Sequence, residues 1–122
     1  MPSQNITSIQ FESIVNENQI VFVDFWAAWC APCKQFSKAY ELVAEQFPAI
    51  LFAKINIEEE QELAEFFEIR SIPHLMVFKE GIIIYSDAGN ITELTLKELA
   101  QQALAADVSD IRALLDLEEQ AQ

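Results

Sequence analysis

The chain has 122 residues, 20 of them acidic and 7 basic, for a net charge of −13. With 52% hydrophobic residues, two glycines and four prolines, it reads as one globular domain, of a size that buries roughly two thirds of its unfolded surface. The charge excludes nucleic acid as a partner, because a phosphate backbone needs a basic patch to displace its counterions, and it disfavours an anionic membrane for the same reason.

In chain order, the opening MPSQNITSIQFES has no basic segment followed by an apolar one, so no secretory leader is expected. No apolar run approaches the ~18 residues of a membrane span. The expected compartment is the cytosol, where two cysteines are expected to be catalytic or metal-binding rather than a structural cross-link. Phe11, Ile14 and Val15 mark a first helix. Residues 20–26 (IVFVDFW) then read as a buried strand. Phe36, Tyr40, Val43 and Phe47 recur at helical spacing, and Pro48 closes that helix. A second strand follows at 50–57 (ILFAKINI), and a shorter helix is marked by Leu63, Phe66 and Phe67. Strands at 74–79 (HLMVFK) and 82–86 (IIIYS) flank a tight hairpin ending in Gly81. Leu96, Leu99, Ala100, Ala103 and Leu104 mark a further helix with Thr95 as its cap. The order is roughly (β)αβαβαββα. Strands alternating with helices imply parallel pairing, and the hairpin adds an antiparallel edge. The expected fold is α/β, a mixed sheet of about five strands with helices on both faces. The tail, 107–122, reads as a short acidic helix with Ser109 as cap and Val108, Ile111, Leu114 and Leu115 along one side. It is expected to pack back on the domain at 1–106; the alternative is an apolar side offered to a partner or a second copy.

The chemistry concentrates in VDFWAAWCAPCKQF, which holds both cysteines, Cys30 and Cys33, directly after a strand. A helix start exposes unpaired N–H groups and the positive end of the helix dipole, which stabilise a thiolate at Cys30. Pro32 has no N–H to lose there. One helical turn separates the cysteines, close enough to close a disulfide, and Cys33 is expected to be the more buried. A C-x-x-C is also half of a zinc site, but the chain offers no other cysteine and one histidine, His74. Zinc within one chain is therefore not expected; a zinc shared by two copies and a pair of inert buried thiols are the competing readings. Alternation in the strand puts Val21, Val23 and Phe25 on one face and Phe22, Asp24 and Trp26 on the other. Burial under a helix would raise the pKa of Asp24 and suit it to proton exchange with Cys33.

The stretch VDFWAAWCAPCK resembles the active-site segment of the thioredoxin family. AKINIEE is similar to that family's third strand with its lysine, here Lys54, and IRSIPHLMVFKEG to its cis-proline segment, here Pro73. Gly89 matches the glycine beside the active site, and the resemblance covers about 6–106. It implies a thioredoxin fold and a protein-disulfide reductase with no bound cofactor beyond the redox-active Cys30–Cys33 pair. Cys30 would attack a substrate disulfide and Cys33 would resolve the mixed disulfide. Asp24 would move the proton, with Lys54 nearby. Trp29, Ala31, Pro32, Ile72, Pro73, His74 and Gly89 would contact substrate, with Trp29 partly covering the site and Trp26 packed beneath it. The implied partners are oxidised proteins and an NADPH-dependent thioredoxin reductase, and the chain is expected to be a monomer. A specialised binding module that traps particular clients through the same cysteines is the alternative; an oxidase or isomerase would need an oxidising compartment. The chain departs from the family pattern at Ala31, where glycine is usual, at Lys38, where a helix-kinking proline is common, at His74, where threonine is usual, and in the tail.

Overall fold

The computed structural model describes residues 2–121. In chain order its elements are β1 (Ser3–Asn5), α1 (Ser8–Glu17), β2 (Ile20–Trp26), α2 (Ala31–Gln46), β3 (Leu51–Asn56), α3 (Gln61–Phe66), β4 (His74–Lys79), β5 (Ile82–Ala88), α4 (Glu93–Ala105) and α5 (Ser109–Ala121). The sheet order is β1-β3-β2-β4-β5. β3 pairs parallel with both β1 and β2, while β4 runs antiparallel to β2 and β5. The expected mixed five-stranded sheet is therefore present.

β2 lies at the centre because both of its faces are apolar. Ile20 and Phe22 pack with Phe36, Tyr40, Val43 and Leu96 under α2 and α4. Val21, Val23 and Phe25 pack with Val15, Ile55, Met76 and Phe78 on the side of α1 and α3. The two clusters are the two side-chain rows of one strand, as period-two alternation requires.

Several local expectations shift. β1 is the polar trio Ser-Gln-Asn, which carries no apolar alternation and is a strand only because it pairs with β3. α4 is capped by Thr92 rather than Thr95: the Thr92 hydroxyl accepts the Thr95 N–H at 3.1 Å, so the helix begins one turn sooner. In the α3 segment Phe67 packs inward but Phe66 is 76% exposed. The β4–β5 turn is Glu80-Gly81, both at positive φ (51° and 80°), the conformation a two-residue hairpin favours. α2 runs unbroken through Lys38.

The tail differs most from expectation. Val108 is buried, and Arg112 reaches the Glu80 carbonyl at 3.2 Å. Ser109 is the first helical residue rather than the cap; its N–H is accepted by Asp107 Oδ1 at 2.9 Å. Ile111, Leu114, Leu115 and Leu117 remain exposed, so α5 is fastened at its first turn and its apolar side does not pack on the domain.

Just before α5, the buried Lys79 ends α4. Its ammonium donates to the carbonyls of Ala103 (2.7 Å), Leu104 (3.1 Å) and Ala106. Three donors meet three acceptors at the negative end of the helix dipole. Lys79→Met keeps the aliphatic stem and strands these carbonyls. It should lower unfolding free energy by about 1–3 kcal/mol in urea denaturation.

Candidate active site

α2 starts where β2 delivers the chain, and Cys30 is its N-cap, in extended conformation, with Sγ accepting the Cys33 N–H at 3.2 Å. Cys30 and Cys33 form a disulfide, with Cα atoms 5.3 Å apart. Pro32 lies in the first turn, where an N–H would go unpaired. The expected contrast in burial is slight, Cys30 being 4% and Cys33 2% exposed. Ala27, Ile57, Ile72 and Trp26 surround the pair. Ala31 and Pro32 are exposed on its outer side, and Trp29 is 67% exposed.

The loop before β4 closes the other flank. The Ile72–Pro73 peptide is cis, and the Ile72 carbonyl oxygen lies 3.8 Å from Cys30 Sγ. Pro73 is buried, and its carbonyl accepts the Gly89 N–H at 2.8 Å. Gly89 has φ +128°, which L side chains rarely adopt, so glycine is required there by the backbone. His74 points to the α1/α3 side of β4, edge-on to Phe25, with Nε2 2.8 Å from Ser86 Oγ. Partial burial pulls its pKa below the usual imidazole value, opposed by the charge of Asp87.

On the α2 side of the sheet lies a second group. Asp24 is fully buried, and neither carboxyl oxygen has a hydrogen-bond partner in the protein. Burial pushes its pKa from 3.8 up to about 7, against the opposing charge of Lys54. Asp24 and Lys54 are directly opposite each other across β2 and β3. Lys54 Nζ donates to Ser37 Oγ at 2.8 Å and sits 5.1 Å above the Trp26 ring. Trp26, Cys33, Lys34, Ser37 and Lys54 line an open hollow of about 420 Å³. Tyr40, also buried in this layer, donates to the Ala53 carbonyl at 2.8 Å. Its phenol is pushed well above the usual range by burial, reinforced by the charges of Asp24 and Glu41. It therefore stays protonated.

The structure thus brings Cys30, Cys33 and Ile72 into one cluster, with Pro73 next in the chain and bonded through its carbonyl to Gly89. Asp24 and Lys54 share the layer between sheet and α2 with Cys33, while His74 lies across the sheet from them. Ser37 was not singled out by the sequence pattern. Its only signal is position: four residues beyond Cys33, it shares that residue's helix face. Among the described residues no group of three or more histidine, cysteine or acidic side chains could hold a metal ion.

A mixed sheet of this order, with a disulfide at the start of the helix that follows its central strand, defines a thiol–disulfide oxidoreductase. The thioredoxin family model matches residues 3–102. The "Putative thioredoxin 2" of Streptomyces coelicolor is 39% identical over 117 residues, covering 96% of this chain and 87% of that protein. A mutant thioredoxin from Halobacterium salinarum superimposes with a TM-score of 0.76 at 30% identity, covering 84% of this chain and 92% of its own. Plasmodium falciparum thioredoxin gives 0.76 at 31%, covering 81% and 97%. The chain belongs to the thioredoxin family, and Cys30–Cys33 is its redox pair.

Burial of Asp24 sets a stability test. Its folded pKa is raised above the unfolded value, so its contribution to stability is fully present below about pH 3.8 and is lost as pH rises to about 7. The shift corresponds to a cost of about 4 kcal/mol at pH 8. Asp24→Asn should therefore be more stable than the parent at pH 8, the gap narrowing steadily as unfolding is measured down to pH 4. A gap independent of pH would show that Asp24 titrates normally.

Proposed function

We propose that this protein is a general reductant of protein disulfides in the cytosol, acting as a monomer and regenerated by an NADPH-dependent thioredoxin reductase. In the reduced protein the Cys30 thiolate, at the helix start, attacks one sulfur of a substrate disulfide. One substrate thiolate leaves and a Cys30–substrate disulfide forms. Cys33 gives its proton to Asp24, and its thiolate attacks Cys30 Sγ. The second substrate thiolate leaves, and Cys30–Cys33 is oxidised as the substrate gains two electrons. On reduction by the partner enzyme, Asp24 returns the proton. A carboxyl with a pKa of about 7 can hold or release a proton at neutral pH.

Lys54 tempers the carboxyl through its charge. The cis Ile72–Pro73 segment turns backbone toward Cys30, where a substrate chain can add to it as a strand would. Trp29, Ala31, Pro32 and Gly89 form the exposed rim that meets the partner, with His74 at its far side. In this reading 1–106 is the redox domain and 107–122 an appendage. The observation that carries the proposal is the pairing of a helix-start disulfide with an unpartnered buried carboxyl in the same layer.

Insulin reduction with NADPH and thioredoxin reductase tests it. Rapid turnover coupled to NADPH oxidation is expected; reduction only with chemical thiols would contradict a general reductase. Cys33→Ser should accumulate the mixed disulfide, visible on non-reducing gels. Asp24→Asn should slow turnover by roughly 100-fold above neutral pH, the lower end of the range for general acid–base catalysis. Unchanged turnover from pH 6 to 9 would remove Asp24 from the mechanism.

A further inference from the structure

Lys54 makes an unexpected choice of partner. It stands directly across from Asp24 on the neighbouring strand, on the same face of the sheet. A buried carboxylate beside an ammonium ordinarily forms an ion pair. Yet the ion pairs among the described residues are Arg70–Glu68 and Arg112–Asp116 alone. Both Asp24 oxygens are without a partner, while Lys54 Nζ is bonded to Ser37 Oγ and seated over Trp26. Ser37 sits one turn beyond Cys33 and lines the same hollow as Cys33 and Lys54.

We propose that Ser37 is a positioning residue whose hydroxyl holds the Lys54 ammonium away from Asp24, so that the carboxyl stays free to take up and give back a proton. An ammonium within hydrogen-bond distance would fix Asp24 as a carboxylate, because an opposite charge at about 4–6 Å favours the ionised form and one in contact favours it more. Held by Ser37 and by the face of Trp26, Lys54 instead exerts a partial pull. The other groups around Asp24 leave Lys54 as the decisive charge. From α2 come Cys33, locked in the disulfide, and Tyr40, whose hydroxyl is committed to Ala53. From β4 the cross-strand neighbour is the apolar Leu75. The functional weight of this arrangement rests on Asp24 acting as proton carrier; the positioning itself does not.

The test follows the Asp24 carboxyl directly, by carbon NMR titration of the oxidised full-length chain. Ser37→Ala preserves helix-forming tendency and removes the acceptor. Its Asp24 midpoint should fall by about one pH unit or more. Ser37→Thr, which keeps the hydroxyl, should titrate like the parent. In a Lys54→Met background, Ser37→Ala should have no effect. An unchanged or higher midpoint in Ser37→Ala, a Thr variant that behaves like Ala, or a shift that persists without Lys54 would each overturn the proposal. Insulin-reduction pH profiles separate the two readings. If the midpoint falls and the profile follows it, both hold. If the midpoint falls and the profile does not move, Ser37 positions Lys54 but Asp24 carries no catalytic proton.

Discussion

Asp24 occupies the central strand of the sheet, fully removed from water, with both carboxyl oxygens unpaired. Such a group is destabilising wherever it is ionised. Its position is tolerated because the rest of β2 is buried on both faces among aromatic and branched side chains. The same burial is what would suit Asp24 to the proton transfer proposed for it. Desolvation lifts the carboxyl into the neutral range, and the residual pull of Lys54 keeps it from rising further. The cost in stability and the raised pKa of the carboxyl share one physical cause, its burial.

The remaining architecture sets what stands around that carboxyl. β2 delivers the chain to the start of α2, so that Cys30 caps the helix while Cys33, one turn on, lines a hollow with Ser37 and with Lys54, the cross-strand neighbour of Asp24. The segment before β4 brings the Ile72 carbonyl to Cys30, and the Gly89–Pro73 hydrogen bond ties it to the end of β5. Three strands thus converge on one short helix start. Helix ends matter twice in this fold: the first turn of α2 meets Cys30 Sγ with a free N–H, and the last turn of α4 gives its carbonyls to buried Lys79. Stability at α4 and chemistry at α2 both come from unpaired backbone groups finding a side chain of suitable charge.

Much of this was legible from residues alone. The apolar runs 20–26 and 74–79 match β2 and β4 at both ends, because strands buried on both faces leave continuous hydrophobic stretches. The two-faced alternation that put Asp24 with Phe22 holds as well. β1 was not delineated, since a polar strand of three residues is defined by its partner and not by its own pattern. Thr95, the expected cap of α4, gave way to Thr92 because two threonines three apart make equally good caps on paper, and only the backbone decides between them. Phe66 and the leucines of α5 share the opposite fault: their helical spacing is real, but periodicity cannot say whether anything lies across from the apolar side. The cysteines stood out by type and spacing. Ser37 did not, because a serine on a helix is chemically ordinary until the ammonium it holds is seen.

The proton held by Asp24 is open to direct observation by infrared difference spectroscopy, comparing oxidised and reduced protein near pH 7 with Asp24→Asn as the reference. Reduction replaces an uncharged disulfide with titrating sulfurs in the same layer as Asp24. If Asp24 exchanges a proton with Cys33, its protonated-carboxyl band should change when the disulfide is reduced, and the change should vanish in Asp24→Asn. A carboxyl signal indifferent to the redox state of Cys30–Cys33 across pH 6–9 would contradict that role.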